Sequence, residues 1–144
     1  MSEAEVALVD WREFAQARAV LGAGFVRILG YFHEDGVKSV AAIEAAIRDD
    51  NAVALVLPAH TLKGEARQFG ANRLADMAEE IETVARRCVE HHQSPHELVE
   101  LIVSLRPTFE KTITLLEGEA SPLMTRRPAF GRRADQRGGF GRAG

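Results

Sequence analysis

Apolar residues recur every three or four positions through most of the chain, and this is the period of an amphipathic α-helix. The first such stripe consists of Phe14, Ala17, Leu21, Phe25, Ile28 and Phe32. Glycines within the stripe weaken it, so we expect a short first helix, a break near Gly22 and a second helix through Phe32. The pattern resumes from Val37 to Ile47, and we interpret Glu34-Asp35-Gly36 between them as a joint or a kink.

A third helix is predicted to follow Asp49-Asp50-Asn51, a segment of typical cap and turn residues. Pro58 complicates this helix, because proline past the first turn removes a backbone hydrogen bond. The helix must either start later than Asn51 or bend just before His60. We favour the bend, since the apolar run from Val53 to Leu57 is expected to be buried. Gly70 should end the helix in a left-handed conformation.

Two further helices complete the pattern. Asn72 is the expected N-cap of the fourth helix, and Ser94 and Pro95 are expected to start the last, which runs to about Glu117 with a kink at Pro107. The fourth helix should bury Leu74, Met77, Ala78, Ile81, Ala85 and Cys88. The last should bury Leu98, Ile102, Leu105, Phe109, Ile113 and Leu116.

Long amphipathic helices with short connections predict an all-α fold. Over residues 1–118 we expect an antiparallel four-helix bundle with one or two additional short N-terminal helices. Residues 119–144 are rich in Arg and Gly and repeat the tripeptide Phe-Gly-Arg, a composition that cannot form a core. We therefore predict a basic, disordered C-terminal tail.

Composition and charge narrow the functional classes. The net charge of -3 divides into -7 for residues 1–118 and +4 for residues 119–144, so the acidic body does not resemble a duplex DNA binder. The tail is better explained as a solubilising end than as a weak RNA-binding segment. No apolar run approaches the roughly 20 residues that span a bilayer. A single cysteine, Cys88, indicates no internal disulfide, and we expect a cytoplasmic protein.

The candidate chemistry centres on His60. His60, Lys63, Gly64 and Arg67 share one face of the third helix, and Leu62 lies on the opposite, apolar face, so the imidazole should point outward. An exposed imidazole can be a base, a metal ligand, a nucleophile or a residue without a role. Lys63 can neutralise an anion on the ring, and Gly64 leaves room for another protein. A carboxylate on the adjacent helix could accept one ring N–H and leave the other nitrogen nucleophilic.

The segment His60-Thr61-Leu62-Lys63-Gly64, followed by Phe69-Gly70-Ala71, closely resembles the signature of histidine-containing phosphotransfer (HPt) domains. The predicted helices from Phe14 to Leu116 also fit that family. The resemblance therefore covers most of the chain and omits the tail.

By this resemblance, His60 is phosphorylated by a phospho-aspartate of one receiver domain and passes the group to another. Lys63 is then the electrostatic partner of the phosphoryl group, and Gly64 is the clearing for the docking receiver. Glu82 occupies the place of the family residue that holds the imidazole, and Arg86 follows one turn later.

We also assign Arg67 and Gln68, together with Arg86, as candidate partner-binding residues. The chain departs from the commonest family pattern after Gly64, where it has Glu65 in place of a small residue. This departure is expected to affect which receivers are accepted.

The resemblance implies a phosphocarrier without independent kinase activity, since the chain has no glycine-rich nucleotide loop. No cofactor is expected, because Mg²⁺ would come from the receiver. The expected partners of this monomer are response-regulator receiver domains and a hybrid histidine kinase. Two alternatives remain: an adaptor that docks receivers or kinases without carrying phosphate, and a dimeric bundle of the histidine-kinase type. A metal site at His91, His92 and His96 is disfavoured because Pro95 interrupts the helix.

Overall fold

The computed structural model describes residues 7–120. Its elements are helical throughout, as predicted. The α-helices are α1 (Trp11–Leu21), α2 (Phe25–Arg48), α3 (Ala52–Gln68), α4 (Asn72–His91), α5 (Val99–Val103) and α6 (Leu105–Ala120), with 3₁₀ turns at Gly22–Gly24 and His96–Leu98. Short turns connect successive long helices into an antiparallel helical bundle, and α3 packs mainly against α2 and α4. Among residues 7–120, no helix is long and apolar enough to cross a membrane.

The chain divides into two compact units, residues 1–113 and residues 114–144. The second is described only over the last turns of α6, which continues to Ala120, two residues past the predicted end of the bundle. The tail predicted to be disordered lies, from Ser121 onward, outside the described residues.

Side-chain caps stabilise the starts of α1 and α3. The side chain of Asp10 accepts hydrogen bonds from the backbone of Arg12 and Glu13 at the start of α1, and Asn51 accepts one from Ala54 at the start of α3. The predicted break after α1 is confirmed at Gly22, whose φ of 55° ends that helix.

The joint expected at Glu34-Asp35-Gly36 is absent, because α2 continues unbroken through these residues. Gly36 instead allows the ring of Phe109 to pack against the backbone of α2. A Cβ atom at this position would lie 2.3 Å from the ring of Phe109, so the missing side chain lets α2 and α6 approach closely.

Helix α3 begins at Ala52 and runs through Pro58 without interruption, which excludes the later start. The expectation that Val53 to Leu57 is buried is largely wrong. Leu55 is buried, but Val53 is 68% exposed and Leu57 is 72% exposed. In a helix these two lie on the same side as His60, away from the buried stripe. Gly70 follows the helix with a φ of 74°, as predicted.

The starts of the later helices differ in detail from the prediction. Asn72 is the first residue of α4, not its cap, and its side chain donates to Glu13. The hydroxyl of Ser94 accepts the backbone N–H of His96, but Pro95, not Ser94, is the N-cap residue of the 3₁₀ turn that follows. The expected disturbance near Pro107 appears as an interruption at Ser104 between α5 and α6. It is consistent with the missing N–H of Pro107, which cannot donate to the carbonyl four residues earlier.

The predicted apolar stripe of α4 is buried, and so are Leu55, Ala59, Leu62 and Ala66 on the inner face of α3; together they form the centre of the first unit. Aromatic rings extend this core. Phe14 contacts Phe25, Phe25 contacts Phe69, and Phe69 stacks on Phe32 with a centroid distance of 5.5 Å. Phe32 in turn contacts Phe109, so the rings link α1, α2, the end of α3 and α6. Cys88 is buried in this core, as its position in the stripe predicts.

Candidate functional site

The site is built on the outward face of α3. Ala59 and Leu62 are fully buried on the inner face, which fixes the rotation of the helix and turns His60 away from the core. The His60 side chain is 57% exposed. The predicted outward orientation of this imidazole is therefore confirmed.

One carboxylate on α4 gathers the polar groups of this face. Glu82 Oε2 lies 2.9 Å from His60 Nδ1 and accepts hydrogen bonds from Arg86 Nε at 3.0 Å and Nη2 at 2.8 Å. Its other oxygen, Oε1, lies 2.9 Å from Lys63 Nζ. The structure thus brings together four of the predicted site residues, His60, Lys63, Glu82 and Arg86, which we call the His60 cluster.

Glu82 is an ionised group inside this cluster. Burial alone would raise the pKa of its carboxyl, but hydrogen bonds from Lys63, Arg86 and His60 outweigh burial and lower the pKa to about 2. A carboxylate can only accept hydrogen bonds, so the contact to Nδ1 requires a proton on that nitrogen. In the neutral ring Nε2 then carries the lone pair, and no described residue hydrogen bonds to it.

The charge of the cluster suits an incoming anion. Lys63 and Arg86 contribute two positive charges and Glu82 one negative charge, which leaves a net charge of +1 when the imidazole is neutral. Both cations are partly exposed, so each can reach a group that docks on the ring. An anion at Nε2 would therefore be attracted by the cluster.

Gly64 is not explained by packing within the chain. A Cβ atom added there would meet nothing within 4 Å, in contrast to Gly36 and to Gly70, where it would lie 2.7 Å from the carbonyl oxygen of Asp10. A glycine costs about 1 kcal/mol inside a helix relative to alanine. The open space over Gly64 lies one helical turn from His60, on the side from which another molecule would approach.

The comparison with known families identifies the fold and its general role. Residues 27–118 match the model of the Hpt domain, which is more than half of the chain. The chain belongs to the Hpt family. It is also similar to the crystal structure of histidine-containing phosphotransfer protein B (HptB) from Pseudomonas aeruginosa PAO1, with a TM-score of 0.68 and 27% sequence identity. That match covers 80% of this chain and 96% of the other. No curated protein matches the sequence.

Membership of the Hpt family gives the chain a phosphotransfer role in two-component signalling. Hpt domains are phosphocarriers and not kinases, and they interact with receiver domains and kinases in phosphorelays. The bundle predicted from the sequence is the fold of this family, so the recognition based on the His60 motif is confirmed.

The remaining predicted binding residues lie outside the His60 cluster. Arg67 forms ion pairs with Asp76 at 3.3 Å and with Glu79 at 2.5 Å, both on α4. Gln68 is exposed and lines a shallow groove between α1 and α3 that includes Val20. Neither residue contacts Glu82 as the members of the His60 cluster do, and the partner-binding role of Arg67 and Gln68 stays a prediction.

The three histidines considered as a metal site, His91, His92 and His96, lie around the end of α4 and the 3₁₀ turn that follows it. Within residues 7–120, no group of three or more His, Cys, Asp and Glu side chains is arranged to hold a metal ion. His91 ends α4, His92 follows with a left-handed φ of 53°, and His96 begins the next 3₁₀ turn.

Sequence reasoning missed two features next to the site. Glu65 is half-buried near the acidic Asp35 of α2, and burial, followed by the influence of Asp35, raises the pKa of Glu65 to about 7. The departure from the family pattern at Glu65 was the available signal, but no spacing rule pairs it with Asp35. The second feature is the exposure of Val53 and Leu57, which their seven- and three-residue spacing from His60 could have indicated.

Proposed function

We propose that this Hpt domain is a phosphorelay intermediate in which Nε2 of His60 takes a phosphoryl group from a receiver aspartate and passes it to a second receiver. The observation that carries the proposal is the anchoring of Nδ1 by Glu82 at 2.9 Å, with the ring exposed beside two cations. This arrangement supports one defined nucleophilic nitrogen that a partner can reach.

The transfer step does not require the imidazole ring to lose a proton. The Nε2 lone pair forms the N–P bond, the P–O bond of the aspartyl phosphate breaks, and the electron pair leaves with the receiver's carboxylate. The proton stays on Nδ1, so the ring becomes positively charged as the bond forms. Glu82, held as a carboxylate by its cationic neighbours, stabilises that charge. In the second transfer a carboxylate oxygen of the second receiver forms a P–O bond, the N–P bond breaks, and its electron pair returns to Nε2.

Lys63 and Arg86 act on the phosphoryl group in this proposal. Each lies within reach of the ring through its contact with Glu82, and phosphoryl transfer depends mainly on positioning and on neutralising the equatorial oxygens. The receiver supplies its own acidic pocket and Mg²⁺. The chain thus needs no nucleotide site, and it acts as a carrier in the cytoplasm, where its proposed receivers are.

The proposal is tested by supplying a radiolabelled phospho-receiver to the wild type and to His60→Gln. We expect label on the wild type that is lost in acid and retained in alkali, and none on His60→Gln. His92→Gln is the matched control, since His92 is an exposed histidine outside the cluster, and it should be labelled like the wild type.

Equal labelling of His60→Gln and the wild type would refute the assignment of His60. Stable binding of receivers without labelling of the wild type would favour the adaptor. The proposal takes the carrier to be a monomer, and a dimer in light scattering would favour a bundle of the histidine-kinase type.

A further inference from the structure

A small recess lies between the residues that precede α1, the first turn of α4 and the first half of α6. Its volume is about 310 Å³, and it is lined by Ala7, Leu8, Arg73, Pro107, Thr108 and Lys111. We call it the α4–α6 recess.

The recess is separate from the His60 cluster. Arg73 precedes Glu82 on α4 by nine residues, which is about 13.5 Å and about two and a half turns of a helix. Arg73 therefore lies on the opposite side of α4 from Glu82. A ligand in the recess would not contact the imidazole of His60.

The lining of the recess combines apolar surface with positive charge. Leu8 and Pro107 supply the apolar surface, and Arg73 and Lys111 reach the same space from two different helices. None of the described residues that line the recess is acidic. This differs from the body as a whole, since residues 1–118 contain 12 Lys and Arg against 19 Asp and Glu. A concave surface with charges of one sign concentrates their field, so this recess attracts anions.

The two cations are not used within the part of the chain that the structure describes. Among residues 7–120, neither Arg73 nor Lys111 forms an ion pair or a side-chain hydrogen bond. Asp76, one turn after Arg73, lies 3.3 Å from Arg67 instead. Lys111 has no acidic residue three or four positions away in the sequence. Both charges are therefore available to a ligand.

The stability of α4 does not explain the position of Arg73. Arg73 is the second residue of this helix, whose first turn contains no acidic residue. The helix dipole disfavours a positive charge in the first turn. A cation at an unfavourable position indicates a role other than helix stability.

The size and lining of the recess restrict the ligand. Small-molecule pockets have volumes of about 300 Å³ and above, so this recess suits a ligand near the lower limit. Arginine and lysine bind phosphate and carboxylate oxygens through charge-assisted hydrogen bonds. Two cations favour a phosphate monoester, which carries close to two negative charges at neutral pH, over a carboxylate with one. Leu8 and Pro107 favour a short apolar body on the same ligand.

We infer that the α4–α6 recess binds a small organic phosphate, with the phosphate group between Arg73 and Lys111 and the apolar body packed on Leu8 and Pro107. The inference goes beyond the proposed function and does not depend on it, because the recess and the His60 cluster share no residue.

The test is an NMR titration of the ¹⁵N-labelled full chain with phenyl phosphate, which carries a phosphate group and an apolar ring. Inorganic phosphate supplies the charge alone, phenol supplies the ring alone, and benzoate replaces the phosphate by a carboxylate. The amide signals of Arg73, Thr108 and Lys111 report on the recess. The amide signal of Gly64 reports on the His60 cluster, which is also cationic.

The variants remove one cation at a time from exposed positions. They are Arg73→Ala and Lys111→Ala, with Arg73→Lys as the variant that keeps the charge. Arg48→Ala is the matched control, because Arg48 is an exposed arginine at the end of α2, outside the recess. Melting curves should show no loss of stability in Arg73→Ala, since a cation in the first turn does not stabilise a helix. Lys111→Ala lies on another helix and tests the recess independently.

We expect phenyl phosphate to bind the wild type with a Kd on the order of 1 mM, which is appropriate for so small a ligand. Inorganic phosphate, phenol and benzoate should each bind at least fivefold more weakly. Each alanine variant should weaken binding of phenyl phosphate at least threefold, and the double variant should show no saturable shifts. Arg73→Lys should retain more affinity than Arg73→Ala, and Arg48→Ala should match the wild type.

Three results would overturn the inference. The first is the absence of saturable shifts at the recess, or equal binding by the wild type and the double variant. The second is a set of shifts confined to Gly64 and its neighbours, because the phosphate would then bind the His60 cluster. The third is inorganic phosphate binding as tightly as phenyl phosphate, because the recess would then hold an ion by charge alone.

Discussion

Two glutamates near His60 have carboxyl pKa values that are shifted in opposite directions. Glu82 is buried between α3 and α4, and its pKa is lowered to about 2. Glu65 is half-buried and faces Asp35 of α2, and its pKa is raised to about 7. Both carboxyls are displaced from their ordinary pKa of 4.5, in opposite directions.

The difference shows that the neighbours of a buried carboxyl decide whether the effect of burial on its pKa is reversed or reinforced. Burial raises the pKa of both groups. Around Glu82, Lys63, Arg86 and His60 donate hydrogen bonds that reverse this effect, whereas the neighbour of Glu65 is another acid that adds to it. Glu82 of α4 is thus ionised at neutral pH, whereas Glu65, on the side of α3 that faces α2, takes up a proton as the pH falls through about 7.

Removing the negative charge of Glu82 should have the largest effect, on the rate of phosphoryl transfer. Glu82→Ala leaves Nδ1 of His60 without its acceptor and two cations without their anion, so we expect phosphoryl transfer to slow by about 10- to 100-fold. Glu82→Gln keeps an acceptor oxygen for Nδ1–H and should lose less. The measurement is the single-turnover rate at saturating phospho-receiver.

The two Glu82 variants distinguish positioning from charge. Equal losses would mean that the carboxylate charge is what matters and that the hydrogen bond alone contributes little. No loss in either would contradict the role of the cluster. Thr83→Ala is a control on the same helix, at an exposed position one residue from Glu82, and it should transfer at the wild-type rate.

The sequence was sufficient to predict that Glu82 lies next to His60, but not that Glu65 faces Asp35. Helical spacing placed His60 outward, and the family motif pointed to Glu82 on the next helix. The pairing of Glu65 with Asp35 depends on how α2 and α3 are aligned along their axes. That alignment is determined by contacts between distant residues, such as the core rings that link the two helices, for which no local pattern exists.

The errors in the fold prediction have a common physical cause. Local rules predicted a joint or kink at Glu34-Asp35-Gly36 and burial of Val53 and Leu57. Contacts with distant residues instead keep α2 continuous and leave Val53 and Leu57 exposed. Phe109 requires a glycine at position 36 within a continuous helix. The rotation of α3 follows its complete inner stripe, from Leu55 to Phe69, and leaves Val53 and Leu57 outside although each is apolar.

Replacing Glu65 should have a moderate effect, on stability and its pH dependence. Because the folded-state pKa is raised to about 7, the folded protein retains between pH 4.5 and 7 a proton that the unfolded chain releases. This group's contribution to stability therefore falls as pH rises through that window and is constant above it. Glu65→Gln remains neutral, so it should melt a few °C above the wild type at pH 8, on the order of 1 kcal/mol after allowance for solvent exposure.

Because other groups also titrate, the quantity to compare at each pH is the difference in melting temperature between the wild type and Glu65→Gln. At pH 5 the wild type carries the proton, and the two melting temperatures should be close. A constant difference from pH 5 to pH 8 would mean that Glu65 does not titrate in this window. Glu79→Gln is a control, because Glu79 is an exposed carboxyl paired with a cation, and its variant should not gain stability at pH 8.

The smallest effect is expected from Asp35→Asn, which separates the causes of the raised pKa of Glu65. Burial is the largest cause, and the influence of Asp35, including its negative charge, follows. The substitution removes the charge but not the burial, so NMR titration of the Glu65 carboxyl should give a pKa below about 7 and still above 4.5. A return to 4.5 would show that the carboxyl pair, not burial, holds the proton. An unchanged pKa would show that Asp35 has no electrostatic effect on Glu65. Burial alone would then raise the pKa of Glu65, and the contrast with Glu82 would come only from the hydrogen-bond donors around Glu82.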